Sequence, residues 1–317
     1  MVKLLSVKRA GFVLISVMWI IVLLTVIVTG FGRRVMLDRR ASAYSLDIEN
    51  ARLLAHSAVQ RGIMELRNKI VMDATKPENM GATHLGQPWA KPTSLIKDLK
   101  IIELKDVGEN DDVIFQIIDE ERKINLNTSP RELIDEAPGI NKSVLRQIMK
   151  RRTEPVHSEE GITPFQVEEE LRYLRGVEDE DWYGTDNKPG LKDMFTVYGD
   201  GKININTAPE YVLKCIPKLG DLAISAIMNY RAGEDGEIGT SDDKGFRSIG
   251  EVQEKLKIEG DPIDAINKYC KFSSSWYRII GQATLRSGKV RVRCCAIVYV
   301  EGTNANLARW QEETIGT

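Results

Sequence analysis

The chain is short of the residues that most enzymes and zinc proteins use. Among its 317 residues there are four cysteines and three histidines. No two cysteines form a Cys-x-x-Cys pair, which argues against a structural zinc site. The histidines, His56, His84 and His157, belong to no motif that pairs one of them with a nucleophile. We therefore predict that this protein is not an enzyme.

The cysteines are also too few for a disulfide framework. Cys294 and Cys295 are adjacent, so in a strand their side chains face opposite ways. In an oxidising compartment one of them could bond to Cys215 or Cys270, but the sequence selects no pairing. Small buried thiols are an equally good interpretation.

A surplus of basic charge is likewise missing. The chain has 44 basic and 46 acidic residues, for a formal net charge of −2. A nucleic-acid-binding domain presents a basic face to the phosphates. The composition therefore argues against nucleic acid as a partner.

One long apolar run stands near the start of the chain. The stretch from Phe12 to Phe31 carries no charged residue. Its length of about 20 residues suits a helix that crosses the hydrocarbon core of a bilayer. A cleaved secretory signal has a shorter apolar region, of roughly 7–15 residues. We therefore predict a membrane anchor that the mature protein retains.

The residues before this run resemble a type IV prepilin signal. Lys8 and Arg9 precede a single Gly11, and the apolar helix begins directly at Phe12. By this resemblance, prepilin peptidase cleaves between Gly11 and Phe12, and Phe12 becomes the N-methylated new N-terminus. The fifth mature residue is Ser16, where pilins generally carry Glu.

Charge does not orient the predicted span. Basic residues stand on both sides of it, at Lys3, Lys8 and Arg9 before it and at Arg33, Arg34, Arg39 and Arg40 after it. The positive-inside bias therefore acts in both directions. The orientation follows from the prepilin-like leader, whose cleavage takes place on the cytoplasmic side.

A second helical pattern continues from the apolar run. Between Arg33 and Val71 there is no proline, and small or apolar residues recur at spacings of three and four. They are Ile48, Ala51, Ala55, Ala58, Gly62 and Leu66. This spacing predicts one face of an amphipathic helix that joins the membrane helix, and the segment 76–79 is expected to end it.

Short strand-like runs flank the middle of the chain. "VIFQIID" lies before it, and "WYRIIGQATLRSGKVRVRCCAIVYVE" lies near the end with a turn at Ser287-Gly288. These runs predict an antiparallel meander packed on the long helix, which is an α+β arrangement.

The middle of the chain contains an internal repeat. "KINLNTSPRELIDEAPGI" begins at Lys123 and "KININTAPEYVLKCIPKL" begins at Lys202. In each copy we expect two helices around a proline-containing turn and then a further acidic helix, "PFQVEEELRYL" or "FRSIGEVQEKL". The segment 123–268 is therefore predicted to be a helical domain of two related units, inserted between strands.

Polar residues at the start of each copy suggest two local interactions. Ser129 with Glu132, and Thr207 with Glu210, have the spacing of a capping box. The asparagines ahead of the helices are expected to bridge backbone groups of the loop. They are Asn125, Asn127, Asn204 and Asn206.

Taken together, these features resemble one protein family. The leader, Ser16, the "INLNT…ININT" repeat, the linker "WYGTDNKPGLKDMFTVYGDGKININTAP" and the late strands are similar to minor pseudopilin K of the type II secretion system. This is the general secretion pathway protein K family. The resemblance implies a pilin-like α+β fold that carries a large all-α insertion.

On this basis we expect five segments. They are a leader (1–11), the transmembrane part of the N-terminal helix (12–32), the soluble helix with the first strands (33–122), the inserted helical domain (123–268), and the last strands (269–317).

The resemblance also implies a function. Members of the family are single-pass proteins of the bacterial inner membrane with their soluble domains in the periplasm, and they are not enzymes. They join minor pseudopilins I and J at the tip of the pseudopilus, where they help to initiate its assembly and the export of folded periplasmic proteins. Prepilin peptidase and the inner-membrane secretion platform are further expected partners.

A helix-hairpin-helix element is the main alternative. "LIDEAPGINKSVLRQIMKRR" would place a basic helix beside the turn Gly139-Ile140-Asn141, as in a membrane-anchored DNA-binding or DNA-uptake protein. The second copy has Lys218-Leu219-Gly220 at this place, so neither turn has both glycines of that motif. The three glutamates at 168–170 also oppose DNA binding, and we favour hairpins that serve as packing units.

The segment "GEDGEIGTSDDKGF" is a candidate calcium loop. Carboxylate oxygens on a flexible loop suit Ca²⁺, which takes six to eight oxygen ligands. The spacing is not that of an EF-hand, but some members of the family bind calcium in the helical domain. The candidate ligands are Asp235, Glu237, Asp242 and Asp243. An exposed acidic loop is the alternative.

Overall fold

The computed structural model describes residues 6–75, 81–102, 108, 110–153, 164–302 and 304–315. The start of the leader (1–5), the predicted helix stop at 76–79 and His157 lie outside these ranges.

The helices are α1 (Ser6–Thr75), α2 (Arg131–Asp135), α3 (Lys142–Thr153), α4 (Asp179–Tyr183), α5 (Leu191–Met194), α6 (Glu210–Leu213), α7 (Asp221–Arg231), α8 (Ile249–Leu256) and α9 (Asp261–Tyr269). Short 3₁₀ helices cover Pro88–Ala90, Glu120–Arg122 and Glu168–Tyr173.

The strands are β1 (Thr93–Ser94), β2 (Asp112–Asp119), β3 (Ile124–Asn125), β4 (Gly184–Thr185), β5 (Lys188–Pro189), β6 (Phe195–Thr196), β7 (Ile203–Asn204), β8 (Cys270–Lys271), β9 (Trp276–Leu285), β10 (Val290–Glu301) and β11 (Asn304–Ile315).

The N-terminal helix α1 is continuous over 70 residues. The prediction that an apolar helix runs directly into a soluble one is therefore confirmed. At a rise of 1.5 Å per residue, α1 is about 105 Å long. Within the described part of the chain, it is the one helix whose length and composition suit a membrane crossing.

The predicted small-residue face of α1 lies on the sheet. Ala51, Ala55, Ala58 and Leu66 are fully buried. A Cβ added to Gly62 would lie 2.6 Å from Cγ2 of Ile279, which is too close for a real contact. Small side chains are therefore needed at this interface because the helix backbone lies directly against the strands.

The sheet is antiparallel, with the strand order β1-β2-β9-β10-β11. The burial of side chains alternates regularly along β2, and Val113, Phe115 and Ile117 face α1 in the core. The β9 and β10 strands are joined at the predicted Ser287-Gly288 turn. The third late strand, β11, lies beyond the run from which the meander was predicted.

The chain between β2 and β9 forms a helical domain with its own core. This core extends from Ile124 to Cys270 and contains the hairpins α2–α3 and α6–α7. The predicted fold class, a pilin-like α+β domain with an inserted helical domain, is confirmed. The insertion is not all-α, however, because it contains the two-stranded sheets β3-β6, β4-β5 and β7-β8. The acidic segment of the first copy is a 3₁₀ helix at Glu168–Tyr173 and not the expected α-helix.

The predicted capping boxes are wrong. The residues at the N-caps of α2 and α6 are Pro130 and Pro209, and neither helix has a side-chain cap. The Ser129 hydroxyl instead donates to the carbonyl of Gly201 (2.9 Å). The Thr207 hydroxyl donates to Oδ2 of Asp119 (2.6 Å). These hydroxyls join distant segments, so they are not available to the helix ends.

Candidate functional site

The apolar part of α1, residues 12–31, is exposed along its length. The exposed fractions of Phe12, Trp19 and Phe31 are 73%, 70% and 68%. The Ser16 hydroxyl donates to the carbonyl of Phe12, one turn back (3.0 Å), as serines in apolar helices do. Cleavage between Gly11 and Phe12 stays a prediction.

A line of apolar side chains is exposed on the soluble half of α1. It consists of Leu46, Leu53, Met64 and Val71, each more than half exposed. Their spacings of seven, eleven and seven residues place them within about 20° of one line along the helix. This line is about 37 Å long. The sequence reasoning missed it, although the same spacings could have revealed it.

The two repeat units share a pair of hydrogen bonds that an asparagine side chain makes in each. Nδ2 of Asn127 donates to the carbonyl of Phe165 (2.8 Å), and the amide of Phe165 donates back to Oδ1 (3.0 Å). Asn206 and Phe246 form the same reciprocal pair, at 2.8 Å in both directions. The prediction that asparagines bridge backbone groups of the loop is confirmed for Asn125 and Asn204, whose Oδ1 atoms accept from the amides of Asn127 and Asn206. For Asn127 and Asn206 it is wrong, because their side chains bind segments 38 and 40 residues further along the chain.

Asn204 of the second unit joins the helical domain to the sheet. Nδ2 of Asn204 lies 3.0 Å from Oδ2 of Asp119, at the end of β2. The hydroxyls of Thr207 and Ser274 donate to the same oxygen, and each of these hydrogen bonds is 2.6 Å long. Burial raises the pKa of Asp119, and these hydrogen bonds oppose that effect. The carboxyl group therefore holds three chain segments together.

Two further acidic residues follow Asp119 at this junction. Glu120 is fully buried and pairs with Arg278 of β9, which also pairs with Glu168. Oε1 of Glu121 lies 2.5 Å from Nζ of Lys271. Burial alone would raise the pKa of Glu120. The positive charges of Arg278 and Lys123, together with the hydrogen bond from Arg278, outweigh burial and lower this pKa. Since each of these acidic groups has a partner, the cluster is structural.

The acidic loop uses its carboxylates to hold its own backbone. Oδ2 of Asp242 accepts from the amides of Glu234 (2.7 Å) and Asp235 (3.2 Å). Asp243 accepts from the amide of Gly239 (2.8 Å). Hydrogen bonds, first of all from a threonine hydroxyl, lower the pKa of Asp242.

These contacts decide how well the loop fits a metal ion. Asp235, Glu237, Asp242 and Asp243 do not meet in one cluster, and the described residues contain no group of three or more His, Cys, Asp or Glu side chains arranged for a metal. The carboxylates would have to release backbone donors to collect around an ion. Calcium binding at this loop stays a prediction.

The turn of the first hairpin lies beside an ion pair. The Asp181 carboxylate lies beside Gly139, since a Cβ on that glycine would be 3.2 Å from Oδ1. Nζ of Lys188 lies at the same distance from this position and pairs with that carboxylate, so a phosphate at this turn would have to displace a formed ion pair. Arg151 pairs with Glu170 and lies over the Phe165 ring, so it turns away from the solvent face. This geometry disfavours the DNA-binding alternative.

All the cysteines of the chain are free thiols. Cys215 and Cys270 are buried in the helical domain, and burial raises the pKa of each to about 12. Cys294 is buried in the core beneath α1, whereas Cys295 is on the opposite face of β10 and partly exposed. The prediction that these two side chains point in opposite directions is confirmed.

The described histidines have structural contacts. Nε2 of His56 is 3.0 Å from Oε1 of Glu312, and its ring lies 4.1 Å from that of Trp310. This contact joins α1 to β11. A Cβ on Gly245 would lie 2.7 Å from Cβ of His84, so this histidine packs against the end of the acidic loop.

These features define a class of protein. A long helix with an apolar N-terminal part lies on an antiparallel sheet, and a helical domain is inserted before the last strands; this is a pilin-like architecture. Sequence comparison adds no family, because no family model and no curated protein matches the chain.

Comparison of structures is informative. The chain is similar to a chain in the crystal structure of the GspK-GspI-GspJ complex from the type 2 secretion system of enterotoxigenic Escherichia coli. The TM-score is 0.60 with 12% sequence identity, and the match covers 86% of this chain and 99% of the other. At this identity the likeness concerns the fold. It agrees with the fold implied by the resemblance to minor pseudopilin K.

Proposed function

We propose that this protein is a minor pseudopilin of a type II secretion system. It is held in the bacterial inner membrane by α1, with its other domains in the periplasm, after prepilin peptidase cleaves before Phe12 and the new N-terminus is methylated. It joins the pseudopilins I and J at the tip of the pseudopilus and helps to start its assembly on the inner-membrane platform, for the export of folded proteins.

The observation that carries the proposal is the exposed apolar line on α1. Leu46, Leu53, Met64 and Val71 form a narrow seam with the 7 and 11 residue spacings of helix-to-helix packing. The other face of α1 is already filled by the sheet. A second long helix is the natural partner for such a seam. The similar fold found in a complex of three pseudopilins supports this interpretation.

Ser16 supports a position at the tip. In a stack of pilin helices, each N-terminal ammonium enters an apolar bundle near the fifth residue of a neighbour, where a Glu can pair with it. Ser16 supplies no carboxylate, and its hydroxyl donates to Phe12 of its own helix. A subunit with nothing above it has no neighbouring ammonium to neutralise. The bulk of the helical domain adds a second reason, because a shaft leaves little space for it.

Light scattering tests the partnership. The fragment from Arg33 onward is mixed with the soluble domains of pseudopilins I and J of the same system, and a complex containing all of them is expected. In Leu53→Ser/Met64→Ser, the affinity should fall at least tenfold because two apolar side chains no longer become buried. Leu222→Ser is the matched control, since Leu222 is 91% exposed on α7, outside the seam. Equal losses in both variants, or no complex with the unchanged fragment, would contradict the partnership.

The position is tested in cells. Labelled protein should be found at filament ends, and wild-type protein spaced regularly along the shaft would rule out the tip. The Ser16→Glu variant shows whether position 16 or the bulk of the helical domain determines the position.

A further inference from the structure

Four arginines lie on α1 immediately after the apolar span. They are Arg33, Arg34, Arg39 and Arg40, and all are exposed. One carboxylate, Asp38, lies among them, which leaves a net charge of +3 over residues 33–40. In the part of the chain that the structure describes, none of these arginines has an ion-pair or hydrogen-bond partner.

Basic residues further up the helix behave differently. Arg52 pairs with Glu49 and Glu312, and Arg61 pairs with Glu65. At the lower end of the sheet, the Arg286 guanidinium binds both carboxylate oxygens of Asp47, at 2.9 and 3.1 Å. The charges of these three arginines are thus neutralised within the chain, whereas the four arginines below residue 46 are left for an external anion.

The directions of the four side chains indicate what kind of anion this is. Successive residues of a helix turn by about 100°. Arg33 and Arg40 therefore point the same way, and Arg34 and Arg39 point roughly 100° and 120° to either side. A single protein surface would contact only one of these directions. A ring of lipid molecules contacts all of them.

The heights agree with a lipid surface. Arg33 and Arg34 lie about 3 to 5 Å beyond Phe31 along the axis, and Arg39 and Arg40 about 12 to 14 Å beyond it. Helical side chains lean back toward the N-terminus, so the upper pair reaches down toward the membrane. The headgroup layer adds roughly 5 to 8 Å to each side of the hydrocarbon core. All four guanidinium groups can therefore reach it.

We propose that residues 33–40 form a collar that binds the phosphates of anionic phospholipids in the leaflet where α1 leaves the membrane. Guanidinium groups bind phosphate oxygens through paired N–H donors. The collar would fix the depth of the anchor and enrich anionic lipid around it. In the orientation of the proposed function this is the periplasmic leaflet, where a cluster of arginines runs against the usual positive-inside distribution. Binding of lipid itself does not depend on that function.

Quenching of Trp19 tests the collar. Trp19 is the one tryptophan within the span, so bromine-labelled acyl chains next to α1 quench it, while the tryptophans of the soluble part give a constant background. The full chain is placed in vesicles containing equal amounts of phosphatidylglycerol and phosphatidylcholine, with one or the other brominated. At low salt we expect phosphatidylglycerol to be about two- to fivefold enriched over phosphatidylcholine next to α1, because each arginine near an anionic surface contributes roughly that factor. At 0.5 M salt the enrichment should be smaller, because salt screens the charges.

Two variants make the test decisive. Replacing all four collar arginines by Gln keeps good helix formers and should abolish the preference. Arg67→Gln is the matched control. Arg67 is an exposed arginine of the same helix, about 40 to 50 Å beyond the collar, so its replacement should leave the preference unchanged. Equal quenching by both lipids in the native chain, or a preference that survives in the fourfold variant, would overturn the proposal. If the fourfold variant instead loses only its binding to pseudopilins I and J, the collar is a protein contact and the lipid proposal fails, while the proposed function stands.

Discussion

Replacing Arg278 by Met should weaken the junction between the two domains. The Arg278 guanidinium pairs with Glu120, which is fully buried, and with Glu168, whose side chain is 6% exposed. Met fills a similar volume but leaves two carboxylates without a positive partner. Loss of one member of a buried ion pair costs about 3 to 5 kcal/mol. We expect a decrease of this size in the free energy of unfolding at pH 7, measured by urea denaturation of the fragment from Arg33 onward.

The effect should depend on pH in a defined direction. In the native protein, the neighbouring positive charges outweigh burial and lower the pKa of Glu120, which stabilises the fold above the ordinary pKa of the group. This contribution is lost as the pH falls. Without Arg278, burial dominates and raises the pKa of Glu120, so the variant loses stability as the pH rises through that raised value. The second effect makes the difference between the two proteins smaller at pH 5 than at pH 8, whereas the native contribution is lost only below the ordinary pKa of the group.

Two controls separate this ion pair from a general effect of losing an arginine. Arg172→Met removes an exposed pair with Asp179 and should change stability little. Adding Glu120→Gln to Arg278→Met should recover part of the loss, because the buried negative charge is removed. A loss below about 1 kcal/mol, or one that is equal at pH 5 and pH 8, would refute the reasoning from buried, paired charge.

Three further predictions concern separate parts of the chain. Mass analysis of the membrane-extracted protein should find Phe12, methylated, as the first residue, and an intact Met1 would contradict cleavage there. Calcium should raise the melting temperature of the fragment relative to a chelator, with a gain of about 2.7 kcal/mol at a hundredfold excess over Kd; a shift that persists in Asp242→Ala/Asp243→Ala would exclude the loop. Alkylation of Cys215 and Cys270 should be slow at pH 8 in the folded protein and fast in urea, since burial raises the pKa of both thiols to about 12, and rapid labelling without denaturant would contradict their burial.

Local sequence patterns predicted the elements that depend on neighbouring residues. The apolar run predicted the first part of the continuous helix α1, because the length and hydropathy of such a run can be read directly from consecutive residues. The three- and four-residue spacing of small side chains predicted the buried face of α1, where Ala51, Ala55 and Ala58 are fully buried. The repeat predicted two similar helical units, because the same residues make the same local bonds in each copy.

The capping boxes were predicted wrongly from local spacing. Ser129 with Glu132 and Thr207 with Glu210 have the correct spacing for a cap, and spacing was the only information available. The partner of Thr207 is Asp119, 88 residues earlier in the chain. A hydroxyl that is buried beside a distant carboxylate donates its hydrogen bond to that carboxylate rather than to a helix end. No pattern within a few residues could have indicated this contact.

The sequence by itself determined that this protein has a long helix with an apolar N-terminal part and a duplicated helical insertion, because periodicity and repetition are properties of neighbouring residues. Only the tertiary structure decided which charges are paired. Arg278 meets Glu120 across 158 residues of sequence, whereas Arg33, Arg34, Arg39 and Arg40 meet no carboxylate in the described chain. Folding brings some charges together in the core and leaves others exposed, and the free energy of each depends on the surroundings it reaches rather than on its neighbours in sequence.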